Sequence, residues 1–376
     1  MRKILYISGT RAEYGLLRPT LLLIKNHPEL DIEIIATGMH LMPEFGETIK
    51  EIKKDGLKVH TIEAVYEKDS FDSSVRFIGE FILKFLKKIK YIKPDIIFVL
   101  GDRPETLGGA LVGAYLGIPV AHSHGGDVTS TIDEVARHAV TKLSHIHFAA
   151  TKKSAQRIIR MGEDPWRIHI VGAPGVDSIL NERLISEKEI AKKYKLDFKK
   201  PSLLVLQHSV TAEIDEAGRQ MKETMEAVKE LDYQTIVIYP CADPGGREII
   251  KVIEKYRKYP FVQIYKNISH KDYLSLMKIV KVMVGNSSSG IVESPSFHLP
   301  VVNIGERETG RERANNIIDV DYDKNQIKKA IKRAINDKRL RKCKNPFGDG
   351  KTSIRIVKIL SKIEINKKLL NKKITY

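Results

Sequence analysis

The stretch GNSSSGIVESPSFHLPVVNIGER, residues 285–307, decides how the chain is read. The apolar run before it, 279–284, is a buried strand, and Gly285, Asn286, Ser287, Ser288 and Ser289 form a tight turn. A helical segment starts at Gly290 with Glu293 on its first turn, and a second apolar strand follows at 301–304. A strand, a small-residue turn and a helix N-terminus make an anion cradle. Backbone N–H groups and serine hydroxyls face phosphate oxygens, and the helix dipole favours negative charge there. A carboxylate one turn further in accepts from two ribose hydroxyls. Nucleoside diphosphates are commonly held this way at the carboxyl end of a parallel sheet. A purely structural corner needs the glycine, but neither three serines nor a glutamate.

Outward from this corner, short apolar runs alternate with amphipathic segments. Strands are expected at 3–8, 31–36, 95–100, 120–122 and 147–150, then at 203–207, 235–239, 262–265, 282–284 and 301–304. One intervening helix spans 213–231, where Ile214, Ala217, Met221, Met225, Val228 and Leu231 share a face. Regular strand–helix alternation means a parallel sheet covered on both sides. The pattern runs twice, around a charged region at 181–200. The expected fold is therefore α/β with two doubly wound, Rossmann-like domains, 1–180 and 181–376, the C-terminal helix packing back on the first. Ligands lie at the carboxyl ends of such sheets, which puts the expected site in the cleft between the domains.

A length of 376 residues fits about two domains, each able to bury its own core. Lys+Arg of 64 against Asp+Glu of 47 leaves +17, mostly as dispersed lysine that is densest at 362–373. No basic motif interleaved with aromatics accompanies this charge, so nucleic acid is not an expected partner. A solvated lysine surface with mild attraction for anionic substrates accounts for it. The two cysteines, Cys241 and Cys343, are too far apart in sequence for a metal clip. The apolar runs fall well short of the roughly 20 residues of a membrane span, and Met1-Arg2-Lys3 leads directly into a strand. The expectation is a cytoplasmic enzyme with no membrane insertion.

Four further strand ends carry chemistry. Ser8-Gly9-Thr10-Arg11 is a second phosphate-type corner, with Pro19 expected in an early turn of the following helix. Gly101-Asp102-Arg103 places a carboxylate at the tip of a buried strand, where a turn or N-cap role is the alternative. His122-Ser123-His124-Gly125-Gly126-Asp127 follows the next strand, with the two histidines expected on one face. Thr131 and Glu134 have capping-box spacing, so Asp133 falls in a first helical turn, suited to a general base. H-x-H followed by Asp fits a metal site, and equally two imidazoles hydrogen-bonding a sugar. GDR and GNSS lack the histidines a metallophosphoesterase would add, so neither metal nor other cofactor is expected. Gln207-His208-Ser209 ends a strand in the second half, where His208 is either a site residue or a buried structural histidine. Arg307, Arg311 and Arg313 cluster past the last strand. A helix N-terminus contributes about 0.3–1 kcal/mol towards an anion and a charge-assisted hydrogen bond about 1.5–3 kcal/mol. A diphosphate leaving group therefore needs arginines, and Arg11, Arg103 and Arg307 are the candidates.

Taken together, SGTRAEYGLLRP, TGMHLMPEFG, GDRPET, HGGDVT with IDEVARHAVTKLSH, LQHSVT, and GNSSSGIVES with VVNIGERETGRE resemble the hydrolysing UDP-N-acetylglucosamine 2-epimerases. The segments run in family order from residue 8 to about residue 316, and TGMHL with HGGDVT looks like the hydrolysing branch. The resemblance implies a glycosyltransferase-B-like fold and UDP held mainly by the second domain. It implies a homodimer or homotetramer and a reaction without redox cofactor: UDP is eliminated to give 2-acetamidoglucal, and hydration gives N-acetylmannosamine, a sialic acid precursor. It gives Asp102, Asp133 and His208 acid/base work, and substrate contacts to Arg11, at the corner that includes Gly9, and to Arg103. Ser287 and Ser288 would touch phosphate in the Asn286–Gly290 turn, Glu293 the ribose and Arg307 the diphosphate. Where several relatives carry H-x-E, this chain has His124; either Asp127 takes the carboxylate role or His124 transfers the proton itself.

Other readings predict different behaviour. The same reaction on UDP-2,4-diacetamido-2,4,6-trideoxyglucose differs only around C4 and C6 of the sugar. A UDP-sugar glycosyltransferase needs no Asp102/Asp133 pair, a metal-dependent phosphoesterase is abolished by a chelator, and a non-catalytic nucleotide-sugar sensor is indifferent to loss of Asp102.

Overall fold

Runs such as Ile-Leu-Tyr-Ile-Ser and Ile-Ile-Phe-Val-Leu carry no polar alternation, so both of their faces must be covered by helices. The computed structural model describes residues 1–67, 70–129, 132–181 and 183–376. It divides into two units: Met1–Val128, Ile132–Leu180 and Phe347–Tyr376 form the first, and Asn181–Pro346 with Thr129 the second. No helix among the described residues is long and apolar enough to cross a membrane.

The first unit holds β1 (Arg2–Ser8), β2 (Leu30–Ala36), β3 (Lys58–Thr61), β4 (Ile96–Leu100), β5 (Val120–Ser123), β6 (Ile146–Ala149) and β7 (Ile168–Ile170). They lie parallel in the order β3-β2-β1-β4-β5-β6-β7, with Ile4 of β1 level with Ile32 of β2 and Ile96 of β4. The second holds β8 (Ser202–Leu206), β9 (Gln234–Ile238), β10 (Val262–Tyr265), β11 (Val282–Gly285), β12 (Val301–Ile304) and β13 (Ile317–Val320), in the order β10-β9-β8-β11-β12-β13. Both orders reverse direction once, between β1 and β4 and between β8 and β11. Each reversal opens a crevice at the carboxyl ends, the usual ligand position in an open α/β sheet.

Three strands, β3, β7 and β13, were not expected. All three are sheet edges, and their short, partly exposed sequences Lys-Val-His-Thr, Ile-His-Ile and Ile-Ile-Asp-Val lack a buried apolar run. Pro19 sits in the middle of the helix Arg11–Lys25 rather than in an early turn. The helix expected from residue 213 starts at Ala217, because the chain kinks at Glu213 within the 3-10 turn Thr211–Glu216. From there Ala217, Met221, Met225, Val228 and Leu231 enter the core of the second unit.

In the first unit the helix Thr352–Lys362 lies against the helix Arg11–Lys25, adding Ile356, Val357 and Leu360 to the core around Leu17, Leu21 and Ile24. Two polar devices fix this C-terminal segment. Asp177 accepts the Thr352 and Ser353 backbone N–H groups at 3.0 and 2.6 Å, capping the helix from a distant part of the chain. The buried Arg167 guanidinium donates to the carbonyls of Leu369, Lys368 and Asn371 at 2.7, 2.8 and 3.3 Å. Asp177→Ala should lower the stability of this unit by about 1–2 kcal/mol, the usual worth of a helix N-cap. The urea midpoint of its unfolding transition reads this, and an unchanged midpoint would show that the cap contributes nothing.

Candidate functional site

The reversal in the first sheet brings the β1 and β4 corners side by side. At the β1 corner, the Gly9 and Thr10 backbone N–H groups both donate to the Glu13 carboxylate at 2.9 Å, and Thr10 caps the helix in a reciprocal box. The chain's own carboxylate thus occupies the anion position, which corrects the reading of this corner as a phosphate cradle. Gly9 has a different reason to be glycine: a Cβ there would lie 1.6 Å from the Glu105 carboxyl oxygen. Burial and the nearby Glu105 raise the pKa of Glu13 well above the ordinary carboxylate value. Arg11 opens the helix from this corner and is half-buried. His40 of the TGMHL segment is buried, its ring nitrogens on the Ser8 and Thr48 hydroxyls at 2.9 and 2.8 Å.

After β4, Asp102 lies half-buried at the strand tip, and Arg103 is the N-cap of the helix Pro104–Tyr115, reaching the Tyr66 hydroxyl at 3.3 Å. Asp102 is paired with Nη2 of Arg137, a 2 % exposed side chain on the helix Ile132–Leu143. Nη1 of Arg137 donates to the Asp127 carbonyl at 3.2 Å and lies 3.5 Å from Glu134. Asp133 lies half-buried in the first turn of the same helix, one turn before Arg137. Thr131, the other half of the expected capping box, falls outside the described residues.

The two histidines at the end of β5, His122 within the strand and His124 just past it, do not share a face. His122 is fully buried, with Nε2 on the Gly101 carbonyl at 2.7 Å and Nδ1 on the Thr141 hydroxyl at 3.3 Å. Burial lowers its pKa to about 3, so the ring is neutral and both nitrogens are in use. His124 lies past the strand end with φ of +64°, in the left-handed region, and its Nδ1 meets the Asp127 carboxylate at 2.9 Å. A metal held by both histidines would have to displace either the Gly101 carbonyl or the Thr141 hydroxyl from the buried His122 ring, which favours hydrogen-bonding imidazoles.

In the second unit the reversal places the β8 and β11 corners together. The Asn286 side chain is fully buried and bridges them: Oδ1 accepts the His208 backbone N–H at 2.7 Å, and Nδ2 donates to the His208 carbonyl at 2.9 Å. Its amide is therefore spent on positioning the turn. Gly285 has φ of +131°, and a Cβ there would meet the Leu206 carbonyl oxygen at 2.1 Å, so only glycine lets the corners approach. The helix after the serines is one turn, Ser289–Val292, so its dipole is small. The Gly290 N–H is spent on the Ser287 carbonyl at 2.9 Å, and Ser287 and Ser289 share hydroxyl contact at 3.1 Å. Ser288 is half-buried and its hydroxyl makes no capping bond.

Glu293 ends this turn rather than starting it. It is 4 % exposed, and burial raises its pKa to about 7 against the opposing field of Arg311. Arg307 reaches the Asn286 carbonyl at 3.3 Å. Both Arg307 and Arg311 are held by the fully buried Glu308, at 2.8 and 2.6 Å. Arg313 is turned to Asp319 at 2.7 Å. The anchoring roles of Arg137 and Glu308 were missed from sequence. Spacing could have found both, since Arg137 is one turn from Asp133 and Glu308 adjoins Arg307.

His208 is 8 % exposed and its Nδ1 accepts the Cys241 backbone N–H at 3.3 Å. Among the described residues, one group of possible metal donors lies together: His208, Cys241 and Asp243, within 4.8 Å of one another. Because Nδ1 of His208 already accepts a hydrogen bond, metal binding through it would have to displace the Cys241 backbone.

Comparison with known proteins converges on one family. The family model described as UDP-N-acetylglucosamine 2-epimerase matches residues 23–361. The UDP-N,N'-diacetylbacillosamine 2-epimerase (hydrolyzing) of Legionella pneumophila is 40% identical over 373 residues, 99% of each chain. A UDP-N-acetylglucosamine 2-epimerase of Neisseria meningitidis is 34% identical over 337 residues, 89% of this chain and 88% of the relative. Among solved structures, a Neisseria meningitidis UDP-GlcNAc 2-epimerase bound to UDP-GlcNAc matches with a TM-score of 0.81 at 19% identity, over 96% of this chain and 100% of that one. The Methanocaldococcus jannaschii enzyme, in complex with UDP-GlcNAc and UDP, gives 0.78 at 24% identity, over 96% and 99%. These likenesses carry the two Rossmann-like domains of the glycosyltransferase-B type, and the near full-length relatives carry the rest: the chain belongs to the UDP-N-acetylglucosamine 2-epimerase family.

Proposed function

We propose that the chain catalyses hydrolysing 2-epimerisation of a UDP-2-acetamido sugar. The C2 proton and UDP leave together, giving 2-acetamidoglucal, and water then adds to give the free 2-epimer. The supporting observation is Arg137, which ties the Asp102 strand tip, the Asp127 loop and the helix carrying Asp133 into one cluster at the tips of β4 and β5. The C2 hydrogen is not next to a carbonyl, so its removal has to be coupled to departure of the diphosphate. That requires positioned acid/base groups together with strong stabilisation of the leaving anion. Asp102, Asp133 and His208 supply the first in this reading. Ser287, Ser288 and the Glu308-held Arg307 supply the second, since a one-turn helix contributes little.

UDP-N-acetylglucosamine, yielding N-acetylmannosamine, is the first candidate substrate. UDP-N,N'-diacetylbacillosamine, the 2,4-diacetamido-2,4,6-trideoxy sugar, is favoured by the 40% identity to the Legionella pneumophila enzyme over nearly the whole chain. A cytoplasmic homodimer or homotetramer belongs to the same reading. Incubation with each sugar in D₂O plus EDTA, followed by proton NMR, should give UDP and a free 2-epimer deuterated at C2 from one of them. Absence of turnover on both would overturn the reading.

Two variants test the roles. Asp102→Asn should retain UDP binding and lose at least about 10²-fold in kcat, the scale for a lost acid–base group; near-normal turnover would remove Asp102 from the chemistry. A Glu293 carboxylate receiving ribose hydroxyls must be ionised. With its pKa at about 7, the ionised fraction rises as pH increases from 6 to 8. UDP affinity should therefore rise about tenfold over that range beyond any change in Glu293→Gln, which shares the titration of the phosphate. Parallel pH profiles by calorimetry would place the ribose elsewhere.

A further inference from the structure

The loop after β5 holds a hydrogen-bonded chain that the assignments above do not use. The Ser154 hydroxyl, on the helix Lys152–Arg160, donates to Oδ1 of Asp127 at 2.7 Å, while Oδ2 meets Nδ1 of His124 at 2.9 Å. The Thr151 hydroxyl, at the N-cap of that helix, lies 2.9 Å from the Ser154 hydroxyl and extends the chain inward. The loop is clamped in this position. A Cβ on Gly126, whose φ is +72°, would lie 2.3 Å from the Ser154 carbonyl oxygen, and Arg157 donates to the Gly126 carbonyl at 3.1 Å.

Exposure separates the two candidate proton carriers. The Asp127 side chain is 2 % exposed and both of its oxygens are engaged, whereas 11 % of the His124 side chain remains accessible. An ionised carboxylate only accepts, so in the neutral ring the Nδ1 of His124 carries the proton facing Asp127 and Nε2 presents its lone pair. The ring is held there by a left-handed backbone that histidine tolerates better than bulkier residues.

We propose that His124, and not Asp127, exchanges a proton with the sugar, and that Asp127 is a positioning residue held in turn by Ser154. The assignment rests on the hydrolysing 2-epimerase reading. In the elimination, Nε2 takes the C2 proton. The C–H electron pair becomes the C1–C2 double bond, and the C1–O pair leaves with UDP. The imidazolium returns its proton to water, and the hydration of the double bond draws its C2 proton from a different group. An imidazole is intrinsically more basic than a carboxylate by about two pKa units, which favours it for removing a weakly acidic C–H.

Glycine tolerates the left-handed backbone at position 124 and leaves room for a free imidazole. His124→Gly should lose at least about 10²-fold in kcat, the range of a lost general base, and added imidazole should restore part of it. Asp127→Asn should lower kcat with little change in KM and lose the low-field Nδ1 proton resonance of His124, while Ser154→Ala should show the same pattern more weakly. An active enzyme whose His124→Gly variant keeps wild-type kcat, or in which formate rescues Asp127→Gly while imidazole fails to rescue His124→Gly, overturns the assignment alone. A wild-type enzyme silent on both UDP-sugars overturns the parent reading and the assignment together.

Discussion

A parallel sheet buried on both faces has almost no place for a polar side chain except at the carboxyl tips of its strands. β1, β4, β8 and β11 are apolar and buried along nearly their whole length. The polar groups at or just past their tips are Ser8, Asp102, Gln207 and Asn286. That constraint concentrates the chemistry of each unit at the strand tips in and beside its strand-order reversal. Four chain segments, each with its own helix, are thereby delivered to two places.

Close packing of those corners requires the chain to satisfy its own loop backbones, and it does so with buried side chains rather than with solvent. Glu13 takes two N–H groups at the β1 corner, and Asn286 takes one N–H and one carbonyl at the β8 corner. Each such bond contributes only about 1 kcal/mol net, but breaking one leaves a buried partner unsatisfied, at about 1–3 kcal/mol. The glycines beside them, Gly9 and Gly285, are where a Cβ would push the corners apart. Arginines are ordered by the same logic. Arg137 is set by Asp102 and a carbonyl, and Arg307 and Arg311 by Glu308, so cationic groups are in place before an anion arrives. Preorganisation of this kind lowers the cost of stabilising charge that develops during a reaction.

The doubly wound α/β class and the central strands were legible because parallel-sheet interiors read as apolar runs. The edge strands β3, β7 and β13 were not, since an edge has one open side and tolerates Lys58, His169 and Asp319. Asp102, Asp133 and the 285–293 turn stood out because small and acidic residues interrupt apolar sequence there. The misreadings came from contacts that spacing alone does not reveal. The β1 corner looked like a phosphate cradle although the acceptor for its N–H groups, Glu13, lies three residues beyond Thr10 in a T-x-x-E box. His122 looked like a partner of His124 until the Gly101 carbonyl and Thr141 claimed its ring. Ser154 lies on a separate helix, 27 residues along the chain from Asp127, and only the folded arrangement joins them.

The first unit is completed by Phe347–Tyr376, although the rest of it ends at Leu180. A ribosome adding about 5–20 residues per second needs on the order of ten seconds or more to make the intervening segment. Throughout that interval Leu17, Leu21 and Ile24 lack their partners Ile356, Val357 and Leu360, and Asp177 has no helix to cap. The nascent first unit thus carries an uncovered apolar groove until residues 347–376 emerge. Completion of its core therefore waits on residues 347–376 rather than on its own early translation.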